Sequence, residues 1–197
     1  MGLTPVAADH LATVVTTLEM TRRPPLRPLP ASPLRLVAWQ RPAATRYRAL
    51  FRRVGAPWLW YSRLAIADDA LTAIVHHPRV AVLAVVDPAG IEVGMVELDF
   101  RVASDCTIGY FGLVPELTGG GHGRWLMAET LARAWAEGIA RVRVNTCTLD
   151  HPGALGFYRA QGFAAVARVV ETFADPRASG LLPADAAPQI PYLASLR

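Results

Sequence analysis

A mixed α/β fold is predicted, with a central, mostly antiparallel sheet flanked by helices, and three observations predict it. Apolar runs at 79–87 and 92–101 are separated by a Pro-Ala-Gly turn, which is a hairpin signature. After a third run at 106–115 the pattern changes to alternating helix and strand periods, so that antiparallel strands come first and α/β alternation second. Between the two regimes lies a strand-to-helix junction that holds Gly119, Gly120, Gly121 and Gly123.

The elements follow in order. Thr4 followed by Pro5 opens a helix expected through residue 20, and the proline-rich stretch 22–33 reads as an extended strap. Residues 34–39 have the length and β-branching of a strand, after which Pro42 opens an arginine-rich helix to 54. The aromatic stretch 58–64 is ambiguous. A short helix at 68–75 has acidic residues at its start and Pro78 beyond its end. Downstream of the glycines, Met127, Leu131, Ala134 and Trp135 form an apolar stripe, Glu129 and Arg133 pair at i,i+4, and Gly138 supplies a stop, which makes 121–137 a helix. A strand at 141–147, expected parallel to the one at 106–115, a helix at 152–161 and a strand at 164–173 complete the pattern. With 197 residues, 52% of them hydrophobic, the chain can bury one core. The expected organisation is an N-terminal helix and strap over 1–33, one domain over 34–175, and a tail over 176–197 packed on or near it.

Composition removes several function classes. All twenty basic residues are arginine, so no lysine is present for a P-loop, a Schiff base or a pyridoxal enzyme. The pI near 9.6 accompanies dispersed arginines and no nucleic-acid motif, so no nucleic-acid partner is expected, while a modest positive field suits a phosphorylated cofactor. No apolar run is long enough to cross a bilayer and the start carries no leader pattern, so a cytoplasmic protein with no membrane partner is expected. Cys106 and Cys147 form neither a disulfide framework nor a cluster with metal spacing, so no metal is expected.

The glycine junction carries the strongest chemical signal. Gly119, Gly120, Gly121 and Gly123 let backbone N–H groups converge, and the helix that follows adds its positive N-terminal end, so a phosphate or pyrophosphate is the natural occupant. A dinucleotide fingerprint does not fit, because Arg124 stands at the final glycine position and no acidic residue ends a second strand about twenty residues on. The residues resemble instead the GNAT acetyltransferase superfamily, whose V-x-P, short spacer and R/Q-x-x-G-x-G/A pattern is similar to Leu113-Val114-Pro115 followed by Thr118-Gly119-Gly120-Gly121-His122-Gly123. The family's second signature, N-x-x-A-x-x-x-Y-x-x-x-G-F, resembles the stretch with His151, Ala154, Tyr158, Gly162 and Phe163. Two departures stand out: the usual Arg or Gln is Thr118, and the usual Asn is His151.

The resemblance implies a GNAT-type fold and an N-acyltransferase that moves an acetyl group from acetyl-CoA to a primary amine by direct attack in a ternary complex. It places the cofactor on Leu113, Val114, Thr118, Gly119, Gly120, Gly121, His122, Gly123 and Arg124, with His151 nearby. Arg124 either compensates for Thr118 or is solvated, and His151 either reaches the cofactor region or is structural. Tyr158 occupies the position at which the family often places a general acid, although Phe157 and Tyr158 could equally pack the helix on the sheet. For the base, Glu97 and Asp99 alternate with Val96, Leu98 and Phe100 and so share one strand face, where they could act as base, bind a cationic substrate or be solvated. Tyr110 is a further polar candidate. Trp58, Trp60 and Tyr61 read as a substrate wall or as core, and the aromatic run with the proline strap is a candidate homodimer contact. The rival reading is a non-catalytic acyl-CoA-binding sensor on the same fold; nothing selects a particular small-molecule or peptide amine as acceptor.

Overall fold

The computed structural model describes residues 2–25, 28 and 30–193. Seven strands form one mixed sheet: β1 (His10–Met20), β2 (Arg35–Trp39), β3 (Val80–Val86), β4 (Glu92–Asp99), β5 (Asp105–Leu113), β6 (Arg141–Cys147) and β7 (Ala164–Ala174). Their order across the sheet is β2-β3-β4-β5-β6-β1-β7, with only β5 and β6 parallel. The helices are α1 (Ala44–Gly55), α2 (Ser62–Ala65), α3 (Asp68–Val75), α4 (His122–Ala134) and α5 (Ala154–Ala160).

Each sheet face buries its own cluster. On one, Trp125, Leu126 and Met127 of α4 and Tyr158 of α5 pack on Val96, Leu98, Ile108 and Val144. On the other, Tyr47, Phe51 and Val54 of α1 and Leu71 of α3 pack on Val82, Ala84 and Met95. β3 and β4 read as near-continuous apolar runs because both of their faces are covered. At the C-terminus, buried Arg177 pairs with Asp175 and donates to the carbonyls of Ala186, Ile190 and Pro191, which seats Leu182 and Ala187 in the second cluster.

The N-terminal segment overturns the expected helix over 4–20. Residues His10–Met20 are a strand, antiparallel to β6 from Val15↔Cys147 to Met20↔Val142 and to β7 from His10↔Ala174 to Glu19↔Ala164. Thr13, Val14, Val15, Thr16 and Thr17 make a β-branched run that fits a pleated surface better than a helix, and alternate residues Thr16, Leu18 and Met20 are buried. Pro5 lies outside this strand, which begins at His10. β1 is therefore an internal strand of the same sheet as β2–β7.

Candidate active site

The site begins with a fault in the sheet. The β4–β5 register shifts from Glu97↔Tyr110 to Leu98↔Ile108, leaving Gly109 as an extra residue on β5. Immediately there β5 parts from β6: their pairing runs only from Asp105↔Arg141 to Ile108↔Val144, although β5 continues to Leu113 and β6 to Cys147. Backbone groups of β5 beyond Ile108 that point toward β6 have no strand partner there. A cleft of about 730 Å³ opens at this gap, within the size range of small-molecule sites.

The glycine junction forms one wall. Gly119 and Gly121 adopt left-handed φ angles of 86° and 81°, which only glycine takes without strain, and Gly121 is the N-cap of α4. No side chain caps the first N–H groups of α4, so they stay available to an anion. The space a Gly119 side chain would fill is open, and the Arg124 guanidinium folds to 3.5 Å from the Cβ position of Gly121. His122 Nδ1 instead meets Ser32 Oγ at 3.1 Å, so that the strap tethers the junction from outside the cleft.

Across the gap α5 presents Tyr158, 7% exposed and enclosed by Phe111, Phe157 and Phe163. Burial, helped by the negative charge of Asp150, pushes its phenol well above the ordinary value, so it stays protonated at neutral pH. Asp150 is itself engaged: Oδ2 accepts from Thr146 Oγ1 at 2.8 Å and from the Cys147 N–H at 2.9 Å, closing the turn after β6.

The opposite sheet face supplies aromatic walls. Leu59 takes a left-handed φ of 53°, and this bend brings Trp58, Trp60 and Tyr61 onto the cleft. Trp58 meets the His151 ring edge-on at 5.4 Å, whereas Trp60 packs on Phe51 and Tyr110. Tyr61 stacks on Phe173 of β7 at 4.4 Å and donates to Glu171 Oε1 at 3.1 Å. Burial and the Glu171 charge push the Tyr61 phenol up to about 12. The Tyr110 hydroxyl, also raised by burial, hydrogen-bonds that of Ser62.

The expected site residues fall into two groups. Leu113, Thr118, Gly119, Gly121, Gly123, Arg124, His151 and Tyr158 all line the one cleft. Val114 does not; it is core, with its N–H on the Val93 carbonyl. Gly120 and His122 also stand back from it. Glu97 and Asp99, the candidates for the base, stand apart from this group. Glu97 is 1% exposed beneath α1, where it accepts from Tyr47 Oη at 2.6 Å and pairs with Arg63 at 2.6 Å. Asp99 chelates Arg101; burial raises its carboxyl, but the Arg101 guanidinium and N–H more than offset this and hold it below the usual range. Neither lines the cleft. The acidic residues that do, among those described, are Asp150 and Glu171, and the sequence reading missed both. A signal existed for Glu171: it interrupts the apolar run AAVARVVETFA and stands two residues from Phe173, on the same face of the strand.

Residues 37–163 match the Acetyltransferase (GNAT) family, more than half of the chain. The fold agrees with that of a GCN5-related N-acetyltransferase from Sphaerobacter thermophilus, at 18% identity and a TM-score of 0.56 over 82% of this chain and 51% of that one. A tandem GNAT protein from the clavulanic acid biosynthesis pathway matches at 20% identity and 0.55, over 83% and 53% respectively. An aminoglycoside acetyltransferase from an uncultured soil metagenomic sample, solved with trehalose, matches at 18% and 0.56, over 71% and 93%. The chain thus spans about half the length of the first two. No curated protein matches it in sequence. The chain belongs to the GNAT acetyltransferase family.

Among the described residues no helix is long and apolar enough to cross a membrane, and no cluster of His, Cys, Asp and Glu could hold a metal ion.

Proposed function

We propose that the protein is an N-acyltransferase that uses acetyl-CoA and a small-molecule primary amine, bound together in one cleft. The observation that carries this reading is the meeting of the β5/β6 gap and the uncapped glycine N-terminus of α4 in a single cavity. Acetyl-CoA would supply the activated acyl group as a thioester. The residues present fit it: Gly119, Gly121, Gly123 and Arg124 offer backbone N–H groups and one cation to a pyrophosphate, with Thr118 contributing no charge. The free backbone groups of β5 after Gly109 would pair with an extended amide-bearing arm as a strand partner would. Those pointing into the gap would also polarise a thioester carbonyl.

Tyr158 is assigned as the acid, because it lines the cleft on α5 and its hydroxyl can hydrogen-bond a leaving thiolate and pass it a proton. Glu97 and Asp99 are assigned to structure; no side chain is assigned as the base, and the amine proton passes to water in the cleft. Fold similarity to an aminoglycoside acetyltransferase supports screening small amines first.

The test is calorimetric titration of acetyl-CoA into wild type and Gly123→Trp. Gly123 lines the cleft and, unlike Gly121, does not need a left-handed backbone, so the bulky group obstructs without straining the loop. Micromolar binding lost in the variant, with thiol release on adding amines, supports the reading. No binding to wild type refutes it.

A further inference from the structure

Glu171 has no role in the chemistry just proposed, yet its position is distinctive. Of the two carboxylates on the cleft, Asp150 is consumed by the turn after β6. Glu171 receives only the Tyr61 hydroxyl, on Oε1, and no cation lies within ion-pair distance among the described residues. It is exposed on β7, so its second oxygen is reachable. Beside it the Tyr61–Phe173 stack, with ring planes 10° apart, gives a flat aromatic wall.

Topology decides which side of the cleft this corner serves. α4 and α5, with the glycine junction and Tyr158, cover one face of the sheet. The 58–62 bend packs on the other face, with α1. The faces communicate where β5 separates from β6 after Ile108. A donor held at the α4 end and an acceptor entering beside Tyr61 would therefore meet at the gap from opposite sides. The two approaches also differ in charge, with Arg124 on one and Glu171 on the other. Two anionic or two cationic ligands would not be sorted in this way.

We infer that Glu171, with the Tyr61–Phe173 pair, is an acceptor subsite that selects a positively charged amine carrying a flat apolar body. The ammonium pairs with Glu171 Oε2 and the apolar body lies against the Tyr61–Phe173 pair. Tyr61 is the positioning residue: its hydroxyl fixes the carboxylate and its ring forms the wall. The inference takes the acyltransfer reading as its setting, but the subsite exists independently of turnover.

The test compares 2-phenylethylammonium with its neutral analogue 2-phenylethanol, each titrated into wild type, Glu171→Gln and Tyr61→Phe, with and without CoA. Wild type is expected to prefer the cation by about fivefold, the upper range for one partly exposed ion pair. The preference should fall to about one in Glu171→Gln, and to an intermediate value in Tyr61→Phe, while CoA affinity stays unchanged. Equal binding of cation and alcohol to wild type, or a preference that survives in Glu171→Gln, overturns the inference. Absence of CoA binding to wild type would sink the acyltransfer reading alone, because the cation-to-alcohol ratio is still read in the free protein. Glu171 is exposed on an edge strand, so the Gln variant is expected to fold, and a thermal melt confirms it.

Discussion

Replacing Arg63 separates the structural reading of Glu97 from a catalytic one. Glu97 is 1% exposed and depends on two partners, the Tyr47 hydroxyl and the Arg63 guanidinium, each at 2.6 Å. Arg63→Met leaves a buried carboxylate with one neutral hydrogen bond. Breaking such a pair costs about 3–5 kcal/mol. The lower end, about 3 kcal/mol, applies here because Tyr47 remains and the Arg63 side chain keeps 17% of its exposure. For a chain of this length that lowers the melting midpoint by about 6–12 °C. A variant combining Arg63→Met, Glu97→Leu and Tyr47→Phe removes both charges and the hydroxyl that Glu97 accepts, along with the Arg63 Nε that is buried without a partner. It should return to within about 1 kcal/mol of wild type. Guanidinium chloride unfolding of the three proteins, with turnover of each, is the assay. An unchanged midpoint in Arg63→Met would refute the argument, as would a Glu97→Gln variant that loses turnover while unfolding like wild type, since that result would make Glu97 the base.

Other outcomes follow from the same geometry. Tyr158→Phe should lower kcat about 100-fold or more while acetyl-CoA affinity by calorimetry stays unchanged; equal kcat would remove Tyr158 from the chemistry. Tyr47, Tyr61, Tyr110 and Tyr158 all have phenols raised above the ordinary value, burial being the largest cause of each. The unfolded chain therefore releases these protons first: their contribution to stability is complete below pH 10 and is lost as pH rises from 10 toward 12 and beyond, which chemical denaturation across that range measures. Thr16→Pro, in the middle of β1, should destabilise by about 3 kcal/mol or more, because an internal strand cannot spare a ladder hydrogen bond; a tolerated proline would contradict the strand's place between β6 and β7.

The fold was legible wherever local pattern and global environment agreed. The hairpin of β3 and β4, the parallel β5 and β6, and α4 all carry signals within a single element or its turn. β1 was not legible, because Thr-Pro at its approach imitates a helix start and its partners lie more than a hundred residues away, at Val142 and Ala174. The glycine junction was readable for the same reason that the hairpin was: it is one contiguous segment whose backbone, more than its side chains, makes a wall of the cleft. The surroundings of the carboxylates were not legible, because alternation places Glu97 and Asp99 on one face without showing that α1 covers it. Arg63 lies thirty-four residues from the Glu97 it neutralises.

The Glu171 end of the cleft depends on the segment whose pattern reads as a helix. Glu171 reaches the gap only because β7 pairs with β1 across Thr13, and β1 pairs with β6 up to Cys147, so a strand from the start of the chain carries the edge strand to the cleft. With a helix in that position, β7 would have no ladder to join and Glu171 would read as one more solvated acid in an exposed strand. The N-terminal segment therefore acts as part of the site's frame without lending it any charged group. A change that loosened β1, such as Thr16→Pro, should weaken cation selection at Glu171 before it disturbs the α4 end of the cleft. A glycine junction built from β5 and α4 alone has no dependence on the β1–β7 ladder.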